Sequence, residues 1–309
     1  VTHPVREQKS IFWQEFFCLW TVAVALSALS AALVHLGPAN ISRLLFIPFH
    51  AKSTFPLLFA LIIQNSLQLA VCVGVGLVVA HKLGLGAPIL EAWLRREPIG
   101  TRLFRILLPT ALAVVVIVGA SAISRAPLFS PKRTQNSADA LALANSPQMD
   151  GAFEALKRLG LGSSGRISWF AVEVMQLEGA VTGGLQGRLF EISVLVLLLQ
   201  ICGSRKLIGG NHLFWIAVLI VAVFRTVESV ALVHQNTVVV MNVFRDFGLP
   251  YDIQPIWSVA LRTSVRLVPS GLVLGILYVY VGIEASILAS FCAPVISNLL
   301  TMFWLDHFR

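Results

Sequence analysis

The sequence predicts an all-α fold, a polytopic membrane bundle of seven or eight transmembrane helices with no soluble catalytic domain. Three observations carry that reading. Of 309 residues, 57% are hydrophobic and only 12% are charged, whereas an average soluble domain has about 45–50% apolar and about 25% charged residues. The mean hydropathy is +0.82. Apolar runs of about 20 residues, the length that spans a bilayer, recur from end to end.

The runs occupy residues 16–36, 55–80, 104–124, 167–202, 213–233, 257–281 and 283–305. The first is too long for a signal-peptide core and has no small-residue cleavage site after it, so it reads as a retained helix. The run 167–202 is too long for one level crossing, because a helix rises about 1.5 Å per residue through about 30 Å of hydrocarbon. It is expected to be a helix pair or one broken helix, with Gly179, Gly183 and Gly184 at the break. Pro38, Pro56, Pro98, Pro127, Pro131 and Pro255 stand outside the runs or at their starts, where a missing N–H matters least.

Between the third and fourth runs lies a polar connection holding a Ser, Asn, Gln and Pro cluster over residues 130–148. Residues 151–161 place Phe153, Leu156 and Leu159 on one side, as in a short amphipathic helix on the membrane surface. With no repeat of 20 to 50 residues to divide it, the chain reads as one membrane domain over 1–309: N-terminal helices to 125, the polar loop 126–166, and a core from 167 onward.

The net charge of +8 does not point to nucleic acid, because Lys and Arg sit in short connections rather than along one face. Such placement suits anionic lipid headgroups, worth about 1 kcal/mol per basic residue near the surface. Orientation is left open, since the adjacent loops 82–105 and 125–166 are both basic. Cys18, Cys72, Cys202 and Cys292 lie in or at the ends of apolar runs without metal or disulfide spacing and read as packed or lipid-facing thiols. No phosphate-cradling glycine loop, zinc spacing or nucleophile elbow is present, so neither cofactor nor metal is expected.

Ionisable residues within membrane helices cost about 2.5–3.5 kcal/mol each on insertion scales and therefore face a bundle interior or cavity. The candidates are Glu173, Glu178, Arg188, Glu191, Arg225, Glu228, Arg262 and Arg266, all after residue 166, which places the expected cavity among the later helices. Arg188 with Glu191, and Arg225 with Glu228, are three apart and can neutralise one another along a helix face. Arg188 is expected to pair with Glu191 or Glu228. Glu91, Glu97 and Glu284 fall at loop edges, where solvated carboxylates are ordinary, and His35, His50, His81 and His212 fall at helix ends or in loops. His234 lies six residues after Glu228, on roughly the opposite side of an ideal helix, a poor geometry for a metal or acid/base pair.

Three segments together resemble the CPBP, or CAAX-protease-like, intramembrane proteases, also called the Abi family. Residues Gly179-Ala180-Val181-Thr182-Gly183-Gly184-Leu185-Gln186-Gly187-Arg188-Leu189-Phe190 are similar to that family's Glu-Glu-x-x-x-Arg helix, with glycine at both glutamate positions. Phe224-Arg225-Thr226-Val227-Glu228 resembles its Phe-x-x-x-His helix with glutamate for histidine. Gly282-Ile283-Glu284-Ala285 through Ser290 and Pro294 resembles its last motif, with serine and proline for the histidine and the amide or acid. The segment Leu85-Gly86-Ala87-Pro88-Ile89-Leu90-Glu91-Ala92-Trp93-Leu94 is similar to the N-terminal helices of some bacterial members, which implies a bacterial inner membrane.

In that family, as the resemblance implies, glutamate activates water while histidines and an Asn or Asp polarise the scissile carbonyl. Those roles need a proton acceptor or a strong donor, which Gly183, Gly184 and Pro294 lack and which Ser290 cannot supply as a base. The resemblance therefore implies a catalytically inactive bundle whose cavity binds a peptide, a prenylated peptide, a lipid or a partner helix. One alternative is an endopeptidase using relocated groups, Glu178 or Glu228 with His234. Another is a transporter or channel lined by the buried Arg and Glu residues.

Overall fold

The structure, a computed structural model, describes residues 4–36, 54–124, 169–202, 210–246 and 256–307. The amphipathic helix expected at 151–161, and all of the loop 126–166, lie outside the described residues.

Every regular element described is helical. In chain order they are α1 (Pro4–Leu36), α2 (Thr54–Leu83), the short α3 (Pro88–Leu94), α4 (Gly100–Ser124), α5 (Trp169–Gly183), a π-helical segment (Gly184–Ile192), α6 (Ser193–Ile201), α7 (Gly210–Asp246), α8 (Ile256–Tyr280) and α9 (Ile283–His307). Among the described residues seven helices are long and apolar enough to cross a membrane, with α5, the π segment and α6 counted as one. This chain is an integral membrane protein of the multi-pass helical class.

The helix pair foreseen as one option for residues 167–202 does not form. Backbone winding continues without interruption from Trp169 to Ile201. Gly183 and Gly184 mark the change to i→i+5 bonding, so the chain absorbs its surplus residues as π turns rather than as a loop. A helix of this length fits a bilayer by tilting or by projecting beyond the hydrocarbon.

Around the bundle the neighbours run α7, α8, α4, α9, α5, α1 and α2, and the π segment touches α2, α7, α8 and α9 from the middle. Two apolar cores result. The larger joins Ala23 of α1, Leu69, Val73 and Leu77 of α2, Leu185, Leu189 and Ile192 of the π segment, and Val218 of α7. The smaller joins Ile106, Ala113 and Ile117 of α4 to Leu274 and Leu277 of α8 and to Ala285, Ala289 and Ala293 of α9.

Small residues set the closest approaches, as expected where lipid removes the hydrophobic drive between helices. Gly271 and Gly275, four apart on α8, lie against α7: a Cβ on Gly271 would come within 2.9 Å of Ala222 Cβ, and one on Gly275 within 2.5 Å of Val218 Cγ1. Gly76 of α2 lies directly against the Leu189 carbonyl, which a Cβ would approach to 3.0 Å. The outer faces are apolar instead of charged. On α4, Phe104, Leu108, Leu112 and Val115 form an exposed stripe opposite the buried Ile106, Ala113 and Ile117. That stripe is unfavourable in water and neutral in lipid.

Two carboxylates expected at solvated edges have structural roles. Glu284, at the start of α9, accepts hydrogen bonds from the backbone N–H groups of Ile89 and Leu90, both at 3.0 Å, and so caps α3 from another element. Glu97 pairs with Arg102, which also donates to the Pro88 carbonyl at 2.9 Å. His81, expected to be solvated at a helix end, pairs across the bundle with Glu15 at 2.8 Å.

Candidate functional site

Between the two cores lies an open cavity of about 660 Å³, walled by the end of α5, the π segment, α7, α8 and α9, with Ile117 and Ser121 of α4 completing it. Most of its lining comes from the later helices, with a share from α4.

The π segment builds one wall. Gly179, Thr182, Gly183, Gln186, Gly187 and Arg188 all reach the cavity from this continuous helix. In an α-helix residues turn about 100° each, so positions three apart overlie. Within i→i+5 winding each residue turns through less, and Glu191 is carried away from Arg188. The pairing expected for Arg188 fails for that reason, and the two acids expected to serve it are both held by Arg225. Arg225 Nη2 pairs with Glu191 across the helix interface, its Nε donates to Glu191 Oε2 at 3.1 Å, and its Nη1 donates to Glu228 Oε2 at 2.8 Å. The pair Arg225–Glu228 forms as its spacing implied; the pair Arg188–Glu191 does not.

Arg188 is left with its Nη1 buried and without a hydrogen-bond partner. The atom sits above Gly184, where a Cβ would lie 3.6 Å from it. Arg266 of α8 also lines the cavity, and none of the described ion pairs includes it. The remaining polar lining consists of hydroxyls and amides, Ser121, Thr182, Gln186, Thr226, Ser229, Ser270, Ser290, Ser297 and Asn298. Thr226 and Ser229 already donate to backbone carbonyls one turn earlier on α7, each at 2.8 Å. Pro294, inside α9, has no N–H for the carbonyl of Ser290, so that oxygen adds a free acceptor beside it.

Among the described residues lining the cavity there is no carboxylate and no imidazole, while there are three guanidinium groups. One of these, Arg225, is paired with two acids, Glu191 and Glu228, that stand outside the lining. The site is therefore electropositive, with donors spare and no general base.

The family-motif positions divide. Gly183, Arg188, Ser290 and Pro294 come together on the cavity. Gly184 is buried under α9, where a Cβ would meet Ile287 Cγ1 at 2.6 Å. Phe224 faces outward and is exposed, and Glu228 is likewise on the exposed side of α7. Of the other candidates, Arg225 reaches the cavity. Glu191 stands behind it as its partner. Glu178 faces α1, where Ser27 donates to its Oε1 at 3.0 Å. His234 is further along α7 and is not part of the lining.

Sequence reasoning missed the hydroxyl and amide lining and the contribution of α4. Ser, Thr and Gln inside an apolar helix carry too little charge to stand out, and only their convergence distinguishes them. Comparison of the chain with protein-family models, with curated proteins and with solved structures found no match to any of them.

Proposed function

We propose that this chain is a CPBP-like membrane protein without peptidase activity, whose central cavity binds the anionic headgroup of a lipid. The observation that carries the proposal is the Arg188 guanidinium, buried at Nη1 without an acceptor, in a cavity lined by no acid. Buried charges are normally paired; a phosphate or carboxylate oxygen completes this one. The volume, about 660 Å³, falls within the usual 300–1,000 Å³ of small-ligand sites. The mixed lining accepts a headgroup together with the first part of an acyl chain.

Hydrolysis has no support in the same geometry. A positioned base contributes about 10²–10⁴-fold of rate, and the hydroxyls here have no His or carboxylate beside them in the cavity. The relocated-carboxylate endopeptidase loses its groups to other work, since Glu228 holds Arg225 and Glu178 accepts from Ser27.

The test is retention of lipid by the purified chain. It is reconstituted in nanodiscs of phosphatidylcholine with phosphatidylglycerol, extracted gently, and its bound lipid is identified by native mass spectrometry. Phosphatidylglycerol is expected to be enriched over phosphatidylcholine. A hydrogen bond to a charged group is worth about 1.5–3 kcal/mol, so Arg188→Gln is expected to weaken retention roughly 10- to 150-fold. Equal retention of the two lipids refutes the proposal. So does cleavage of a prenylated or unmodified peptide that Arg188→Ala abolishes.

A further inference from the structure

At the other end of α2, away from the cavity just described, the Glu15, His81 and Glu91 side chains converge from three elements. Their nearest ligating atoms all lie within 4.8 Å of one another. They line a second hollow of about 420 Å³ together with Arg95, Tyr280 and the turn at Gly84–Gly86. We propose that these three side chains bind a divalent transition-metal ion, with Zn²⁺ the best match.

Glu15 is the decisive residue. Its side chain is 0% exposed, Oε2 receives His81 Nε2 at 2.8 Å, and Oε1 is buried with no partner. A carboxylate oxygen withdrawn from water and left unbonded costs about 1–3 kcal/mol or more, and a cation beside it removes that penalty. Zinc binds His nitrogen and carboxylate oxygen at about 2.0–2.2 Å in a tetrahedron, which puts its ligand atoms about 3.3 Å apart. The His81–Glu15 contact has only to open by about half an ångström to reach that spacing. As the ion enters, His81 binds as neutral imidazole with its proton on Nδ1: an imidazolium releases the Nε2 proton to solvent, and a neutral Nε2–H ring exchanges that proton through solvent to Nδ1. One imidazole with two carboxylates suits zinc better than the all-oxygen shell of magnesium or calcium. The ligand set carries two negative charges and Arg95 one positive charge, so a divalent ion overcompensates by only a single charge. A fourth position opens onto the hollow.

The three ligands are held in place by backbone features unrelated to any ion. Gly84, at φ +71°, ends α2 just after His81, and the Leu85 N–H returns to the Ala80 carbonyl at 2.9 Å to close the turn. Gly86 leaves room for Glu91, because a Cβ there would fall 2.5 Å from Glu91 Oε1. Glu284 caps the helix that carries Glu91. No short-range sequence pattern betrays such a site, since its ligands are supplied by α1, α2 and α3 at positions 15, 81 and 91.

The experiment uses the full chain, purified in detergent with a tag free of histidine, stripped with EDTA and desalted. Zn²⁺ is added, with Mg²⁺ as a control, and retained metal per chain is measured by plasma mass spectrometry after a second desalting. One Zn²⁺ per chain and no Mg²⁺ are expected, and Zn²⁺ raises the thermal midpoint. Loss of a supporting residue around a metal ligand typically weakens binding 10–100-fold, so His81→Ala and Glu91→Gln, which remove ligands, should each weaken it by more than about 100-fold. Glu91 is partly exposed and its loss leaves the core intact, so Glu91→Gln separates loss of metal from loss of fold. Failure of the wild-type chain to retain Zn²⁺ overturns the proposal. Unchanged binding in both variants, or loss in only one of them, overturns the three-ligand assignment.

Discussion

Replacing Arg188 by methionine should make the lipid-free protein more stable while abolishing its response to anionic lipid. Arg188 brings a guanidinium into a site where Nη1 is buried and has no acceptor, close to Gly184 and on the same cavity as Arg225. An unsatisfied buried polar group costs about 1–3 kcal/mol, and more when it is charged. Methionine keeps an unbranched, flexible stem of similar reach and removes the charge. The solvent-facing remainder of the side chain limits the gain, so a stabilisation of about 1–3 kcal/mol is the expected range. Domains of 150–250 residues gain about 2–4 °C per kcal/mol, which corresponds to a rise of between about 2 and 12 °C in the apparent midpoint. The assay is thermal unfolding of delipidated protein at one fixed scan rate, followed by tryptophan fluorescence, with and without added phosphatidylglycerol. Wild type should start lower and climb on lipid addition; Arg188→Met should start higher and stay there. A midpoint for Arg188→Met below wild type in the absence of lipid, or an equal lipid response in both, refutes the reasoning.

Other perturbations separate the parts of this account. Glu191→Gln removes the better-shielded of the two acids on Arg225 and should destabilise by about 1–2 kcal/mol, between the values for surface and buried pairs; Glu228→Gln, at the exposed partner, should stay within about 0.5 kcal/mol, both read by thermal midpoint. Gly275→Ala puts a methyl against Val218 and should cost about 1–3 kcal/mol through overpacking, whereas Gly119→Ala meets nothing within 4 Å and should gain up to about 1 kcal/mol of helix propensity. Gly183→Glu should be accepted, since that position opens on the cavity, but Gly184→Glu should unfold or misassemble the chain unless Ile287→Ala makes room for it, measured as monodisperse yield from detergent. Peptide hydrolysis should remain absent in Gly183→Glu alone.

The membrane helices were legible because one property, about 20 consecutive apolar residues, decides them. The structure extends several beyond their apolar runs: α1 begins at Pro4 although its run begins at residue 16, and α7 continues to Asp246 although its run stops at 233. Hydropathy marks where lipid is and says little about where backbone winding ends. The same limit hid Glu15. It stands one residue before its run, where an acid reads as interfacial, and its total burial follows only from the packing of α1 against α2 and α3. Pairing was legible where the winding is α, at Arg225 and Glu228, and illegible where it is π, at Arg188 and Glu191. Arg188, Ser290 and Pro294, singled out in the sequence, line the same hollow. The sequence could not show that Glu178 and Glu228 face other surroundings, because the direction of a side chain around a long apolar helix depends on neighbours far away in the chain.

The π segment links these observations. A π turn gives up well-formed α-helical hydrogen bonding and persists here because its far side is locked into the larger core by Leu185, Leu189 and Ile192, all nearly fully buried. On the cavity side stand Gly183, Gln186, Gly187 and Arg188, with Ile192 reaching both the core and the cavity. Had residues 184–192 been α-helical, Glu191 would lie over Arg188 and could pair with it, leaving Glu228 to Arg225. The wider winding instead hands Glu191 to Arg225, binding the π segment to α7 and leaving Arg188 Nη1 without a hydrogen-bond partner. The inserted turn therefore serves both packing and charge. On the reading proposed above, Arg188, with Nη1 unpartnered and the apolar wall of Leu185 and Leu189 behind it, is the group that an anionic headgroup would meet.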